Sequence, residues 1–382
     1  MLKRYLKVLS YILVAVAASV ATLIWYHGEQ PYSKLEELRT VIDRYFIDEV
    51  DVDRLENAAA EAMVEALDDR WSYYMTPEEY RSYQEKMDNA YVGIGVNITQ
   101  REDGYINIVK VEEDGPAAEA GVQVDDLLTA VEGQDISAMT IDEVKDMVRG
   151  KENTTVQLTF ERDGETLILD VERRSIKSIV IKSSMLEGNI GLVTIKNFDS
   201  RCAEETLAAI EELLAQGAQG LIFDVRFNPG GYKHELVEIL DYLLPEGPLF
   251  RSVDYSGKES VDMSDEACLE IPMAVLINGD SYSAAEFFGA ALQEYGVAKL
   301  IGQPTTGKGH FQTNFPLSDG SAVVISIGKY CTPNGVSLTD TGLTPDILVE
   351  LDAETYWKIY YEMIPAEEDP QIQAALAALL NG

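Results

Sequence analysis

From about residue 177 onward the chain alternates short apolar runs with amphipathic stretches, and this alternation restricts the fold more than any other feature. Ile190–Ile195, Gly220–Val225 and Met273–Ile277 are apolar almost throughout, the signature of strands covered on both faces. Ala203–Gln216 and Ser283–Tyr295 read as helices between such strands, the second ending at Gly296. Ala322–Ile327 reads as another strand. This order predicts an α/β layer with helices packed on a sheet over residues 176–350.

Upstream the pattern differs. Residues 31–88 read as helical: Leu35, Leu38, Val41, Ile42 and Phe46 recur at helical spacing, Ala58–Leu67 forms a second segment, and Thr76-Pro77-Glu78-Glu79 starts a third. Residues 89–175 read as short strands around two helices, with a turn at Asp114-Gly115-Pro116 and an amphipathic helix marked by Ile141, Val144, Met147 and Val148. Residues 351–382 read as a helical tail that caps the core or pairs with a second copy, so a homodimer is one expectation. The whole is expected to be an α+β multidomain chain.

The first thirty residues carry an export signal. Lys3, Arg4 and Lys7 precede nineteen uncharged residues, Val8 to Tyr26, long enough to span a bilayer as a helix. The basic flank places the N-terminus in the cytoplasm and the remainder outside the cell membrane. Ala15-Val16-Ala17 offers the alternative of a cleaved signal peptide; either way the working part is exported.

Charge excludes some partners. With 66 acidic and 30 basic residues the formal net charge is −36, which argues against nucleic acid and against anionic lipid surfaces. It serves solubility or steers basic substrates. Three cysteines without a CxxC pair and three histidines give neither a disulfide framework nor a zinc site, and no metal or cofactor is expected.

The chemistry-bearing segment is Asn278-Gly279-Asp280-Ser281-Tyr282-Ser283-Ala284-Ala285-Glu286. Ser283 opens a helix directly after an apolar strand, where unpaired N–H groups and the helix dipole stabilise negative charge. Ser283 and Glu286 also fit a capping box, so both readings stand on these residues alone. A serine nucleophile needs a base. Lys308, in Gly307-Lys308-Gly309, serves if burial keeps its amine neutral against the acidic background; otherwise it is a solvated loop lysine. His310 is a second candidate. The lone Gly307 and the Gly309 after the lysine fail the phosphate-loop pattern. Gly230-Gly231, after the strand Gly220–Val225, reads as a strand-ending turn or as two amides presented to a carbonyl. Asp224 and Arg226 read as a structural pair.

These segments resemble the C-terminal processing peptidases, also called tail-specific proteases. Their nucleophile lies in a Ser-Ala-Ser-Ala-Ser-Glu run whose middle serine matches Ser283. Their base lies in a Gly-Lys-Gly loop that matches Lys308, 25 residues downstream, and a glutamine that orients the lysine matches Gln312. Tyr282 and Ala285 depart from the run without removing either group. The resemblance implies an oxyanion hole from the Gly230 or Gly231 amide with that of Ser283 or Ala284, and a crotonase-like peptidase core. Gly93-Ile94-Gly95-Val96 resembles the carboxylate loop of PDZ domains, supported by Asp114–Gly121 and Asp125-Asp126-Leu127-Leu128; the helix Thr140–Arg149 would wall the groove. Arg149 matches an arginine that couples ligand binding to activity in relatives, and also suits a helix C-terminus. Glu65–Tyr74, Tyr330–Gly335 and Gly342–Asp346 resemble further family segments, so roughly residues 35–350 are covered.

The expectation is an exported serine endopeptidase with a Ser-Lys dyad. It would cut proteins near accessible C-termini, which the PDZ-type module captures. The alternatives are a catalytically silent PDZ adaptor at the membrane and, more remotely, crotonase-like acyl-CoA chemistry.

Overall fold

The structure, a computed structural model, describes Val14, Val16, Ala18, Ser19 and residues 33–381. The expected anchor or signal segment therefore lies almost wholly outside the described residues. Among the described residues no helix is long and apolar enough to cross a membrane.

Residues 1–66 and 67–382 separate as two units. In the first, helices Ser33–Tyr45 and Val52–Glu65 follow one another, and Asp51 caps the second by accepting from Arg54 N–H at 3.0 Å.

In the second unit the α/β layer forms as expected. Ile190–Ile195, Gly220–Asp224, Met273–Ile277, Ala298–Gly302 and Ile347–Leu348 lie in that order as parallel neighbours, and Ile181–Leu186 adds antiparallel beside the first. The continuous apolarity of the strands is explained by cover on both faces. Leu221, Phe223, Val275 and Ile277 pack with helices Cys202–Ala215, Lys233–Leu243 and Ala284–Glu294. Ile222, Ala274 and Leu276 pack with Ile372, Ala375 and Leu376 of the tail helix Pro370–Asn381. The tail caps the core, the first of its two expected uses.

A second sheet is one the sequence pattern did not reveal. Ala322–Cys331 lies between His310–Pro316 on one side and, on the other, Gly247–Asp254 and Tyr73–Met75 at different points along its length. Tyr73–Met75 sits inside the region read as helical. It carries the segment around Trp71 across to the core, where Ser326 N–H donates to Ser72 Oγ at 3.0 Å.

Residues between 96 and 172 form an antiparallel sheet in the order Val96–Gln100, Ile106–Val111, Leu127–Val131, Thr155–Arg162, Glu165–Glu172. The helix Ile141–Val148 closes over it and buries Val144. Its start is a full capping box of Thr140 and Glu143. Asp126, 1% exposed, accepts from Arg162 Nε at 2.5 Å and Nη2 at 2.7 Å. Ala90–Gly93 pairs with Arg174–Lys177 as a ribbon where the chain enters and leaves this module.

Candidate active site

The strand Met273–Ile277 ends at Asn278, and the chain turns into the helix Ala284–Glu294. Asn278 Oδ1 accepts from Phe227 N–H at 3.0 Å and Asp280 N–H at 3.1 Å, and Ser281 Oγ donates to Val225 C=O at 2.8 Å. These bonds lock the turn. Ser283 sits at its end with φ 58° and ψ −126°, a backbone state that non-glycine residues adopt only where the surroundings impose it. Glu286 Oε2 accepts from Ser283 N–H at 2.9 Å, as a capping box requires.

That carboxylate does more than cap. Oε1 accepts from Thr305 Oγ1 at 2.5 Å and Gly307 N–H at 2.7 Å, and Oε2 accepts from Lys308 N–H at 2.9 Å. Glu286 is fully buried. It thereby ties the helix that Ser283 opens to the loop that carries the lysine. Burial pushes its carboxyl upward against these four bonds.

Ser283 and Lys308 line one cavity of about 490 Å³ with Trp71, Tyr83, Gly230, Gly231, Tyr282, Gln312 and Tyr330. Burial holds the Lys308 amine down at about 8, against the pull of Asp69 and Glu286 and with a small push from Arg70. Local desolvation thus outweighs the acidic background. Lys308 Nζ lies 4.6 Å from the centre of the Trp71 ring and 5.8 Å from that of Tyr282. No hydrogen bond between Lys308 Nζ and Ser283 Oγ occurs in this arrangement; the Tyr330 phenol borders the same cavity, and burial pushes it well up while Ser283 draws it partly back. Gln312 Nε2 donates to His310 C=O and to Ser326 Oγ, each at 3.0 Å, and no hydrogen bond joins Gln312 to Lys308. His310 begins the strand His310–Pro316 and is not among the cavity's lining residues.

The glycine pair lies against the serine. A Cβ on Gly230 would stand 2.7 Å from Ser283 Cβ and 2.9 Å from Ala284 N, so no side chain fits there. The Gly230 N–H donates to Asn228 Oδ1 at 2.8 Å, which fixes the loop and takes that amide out of the donor set. Among the described residues the N–H groups of Gly231 and Ala284 have no such partner; Gly231 lines the cavity, and Ala284 directly follows Ser283, which also lines it.

Behind the loop stands a brace that the sequence did not disclose. Arg226, 7% exposed, donates to Asp224 Oδ1 at 2.9 Å, to Asp224 Oδ2 at 2.6 Å and to Gln371 Oε1 at 2.9 Å, and pairs with Asp369 Oδ2 at 2.8 Å. Burial works against its charge, and the two aspartates override burial and raise its pKa. Phe227, at φ 61°, packs edge-on to Tyr356 at 5.0 Å and Tyr360 at 5.2 Å. The Tyr356 hydroxyl donates to Asp280. The structural pair expected from Asp224 and Arg226 is therefore one half of a clamp completed by the tail.

A second, smaller cavity of about 150 Å³ lies in the 96–172 module. Gly93, Ile94, Gly95 and Val96 line it from one side, and Val144, Val148 and Arg149 from the other. Gly95 has φ 77° and its C=O accepts from Glu112 N–H at 2.9 Å. Arg149 follows the helix end with extended backbone and also borders the cleft lined by Glu78, Arg81 and Glu85 of helix Pro77–Met87.

Comparison with known proteins places the chain in a family. Residues 189–349 match peptidase family S41, and residues 108–162 match a PDZ domain. Carboxy-terminal processing protease CtpA of Bacillus subtilis (strain 168) is 32% identical over 366 residues, covering 92% of this chain and 78% of that protein. A CtpA-like serine protease of Staphylococcus aureus (strain COL) is 32% identical over 325 residues, covering 83% of this chain and 64% of its own length. Among solved structures, an S41 protease from Bacteroides fragilis superposes with a TM-score of 0.51 at 16% identity, covering 88% of this chain and 98% of that one, a likeness of fold. The photosystem II D1 C-terminal processing protease gives a TM-score of 0.49 at 25% identity, covering 84% of this chain and 87% of that one.

Proposed function

Because this chain belongs to the PDZ-bearing C-terminal processing peptidases of family S41, serine-type proteases, we propose that Ser283 and Lys308 are its nucleophile and base. The observation that carries the assignment is the shared cavity: a serine in a strained turn faces the same space as a half-buried lysine whose amine burial holds down at about 8.

In the proposed mechanism the neutral Lys308 amine leaves the Trp71 face and takes the Ser283 proton. The alkoxide attacks the scissile carbonyl, and the Gly231 and Ala284 amides receive the oxyanion. Collapse expels the amine product, which takes its proton from Lys308. Water, deprotonated by Lys308, then releases the acyl-enzyme. Gln312 orients the lysine by accepting from its amine at Oε1, the atom its bonds to His310 and Ser326 leave unused. Lys308 rests against Trp71, and in this reading it moves to Ser283 when substrate enters.

The substrates are proteins with accessible C-termini. The Gly93–Val96 loop and the helix Ile141–Val148 form the cleft for the chain end, and Arg149, shared between that cleft and helix Pro77–Met87, links occupancy to the core. The pattern of residues 3–26 supports an extracytoplasmic location. The parallel strands with intervening helices support a crotonase-like description of the core. A silent adaptor and acyl-CoA chemistry have no feature here that favours them.

Purified chain with an unstructured peptide tests the dyad. Lys308→Ala is expected to lower kcat by about 10²- to 10⁴-fold, the usual contribution of a general base. Ser283→Ala is expected to remove cleavage; turnover surviving in that variant overturns the assignment.

A further inference from the structure

The catalytic cavity contains an ionisable group that the mechanism leaves unused. Asp199 lies just beyond strand Ile190–Ile195, beside the bridge that joins Phe198 to Gly231. It is 2% exposed, yet its side chain lines the cavity of Ser283 and Lys308. A Cβ on Gly231 would stand 2.6 Å from Asp199 Oδ1, so the carboxyl abuts the glycine pair. Its main chain is satisfied, the N–H donating to Asn197 Oδ1 at 3.0 Å and the C=O accepting from Cys202 N–H at 3.1 Å. No hydrogen bond or ion pair among the described residues reaches the carboxyl itself.

A buried carboxyl is normally paired. The groups that face this one do not pair with it. Lys86, from helix Pro77–Met87, acts through charge alone; Glu235, from helix Lys233–Leu243, repels it. The phenols of Tyr83, Tyr232 and Tyr282 and the thiol of Cys202 all feel its charge. Burial chiefly, with Glu235 adding and Lys86 subtracting, pushes Asp199 up to about 7.

We propose that Asp199, flanked by Tyr83 and Tyr232, is the floor of a subsite for a lysine or arginine side chain next to the scissile bond of the substrate. This rests on the protease reading above and names a substrate class for it. A cationic head supplies the partner the carboxyl lacks, through a charge-assisted hydrogen bond. The two phenol rings that border the cavity offer faces to the same cation. The net charge of −36 concentrates basic segments near the surface before they enter. Lys86, at the same cavity, is the internal competitor for the site.

The test uses the intact chain and a panel of peptides. Each peptide carries lysine or arginine, or the uncharged norleucine or citrulline, at one of the two positions on either side of the cut. At one position the cationic peptide is expected to have a kcat/KM at least about tenfold higher, the size of one charge-assisted bond. That ratio is expected to rise as pH increases through 7, because only ionised Asp199 attracts a cation; the titration of Lys308 is common to both peptides and cancels. Asp199→Asn is expected to bring the ratio near one, and Lys86→Met to raise it. A ratio near one at every position in the unaltered chain, a preference for serine or asparagine instead, or a ratio untouched by Asp199→Asn overturns the proposal while the protease reading stands. Absence of cleavage of every peptide, cationic or not, removes both.

Discussion

Glu286 is a single residue on which two others depend. Its carboxylate joins Ser283 N–H to the amides of Gly307 and Lys308, so it sets how far the serine stands from the lysine. Glu286→Gln keeps the shape but turns one acceptor into a donor facing N–H groups. It is expected to cost about 1–3 kcal/mol of stability, read as a lower denaturation midpoint, and to reduce kcat more than it changes KM. Lys308 sets the pH response. As the proposed base its amine acts only when neutral, and burial holds it at about 8, so kcat for a neutral peptide is expected to climb as pH rises through 8 and to level off above it. A rate that is flat from pH 6 to 10 contradicts a lysine base. At this scale the sequence marked Ser283, Lys308 and the glycine pair, which line one cavity, because they lie in compact local patterns. It did not disclose Trp71, Tyr330 or Asp199, which reach the same cavity from separate parts of the chain. It also showed only the capping half of Glu286, since the other half depends on a loop some twenty residues away.

Among the elements, those buried on both faces were legible and those half exposed were not. Ile190–Ile195 and Met273–Ile277 fall where the apolar runs place them. His310–Pro316 and Glu259–Ser264 carry mostly polar or partly exposed residues and give no alternation strong enough to mark a strand. Tyr73–Met75 is three residues long and exists through its pairing with Ala322–Val324. Helices Ile141–Val148, Cys202–Ala215 and Ala284–Glu294 fall within a residue of their expected ends because caps and glycines bound them, whereas Val52–Glu65 starts six residues before the expected Ala58 and Lys233–Leu243 was not read. What no local pattern could give is the grip of the tail on Arg226 and Phe227. Asp369→Asn removes one charge from a buried arginine that keeps Asp224. It is expected to lower stability by about 1–3 kcal/mol and, because Arg226 adjoins the loop bearing Gly230 and Gly231, to lower kcat with little effect on KM. An unchanged kcat would confine the clamp to stability.

For the whole molecule, the proposed places of capture and cutting are separate within residues 67–382. The cleft beside Gly93–Val96 and the cavity of Ser283 have separate linings. A chain end held in the first leaves a more internal stretch to be cut in the second. Peptides ending in a carboxylate are therefore expected to be cleaved at a lower KM than the same peptides amidated, with kcat less affected, and Arg149→Ala is expected to shrink that difference. Equal KM values for the acid and the amide would detach the module from substrate capture. The tail adds a matter of timing. Tyr356, Asp369 and Gln371 follow every reacting residue in chain order, so a ribosome completes the peptidase layer before it makes the struts that brace its glycine loop. A still-emerging polypeptide therefore holds Ser283 and Lys308 before the residues that grip Arg226 and Phe227 have been made.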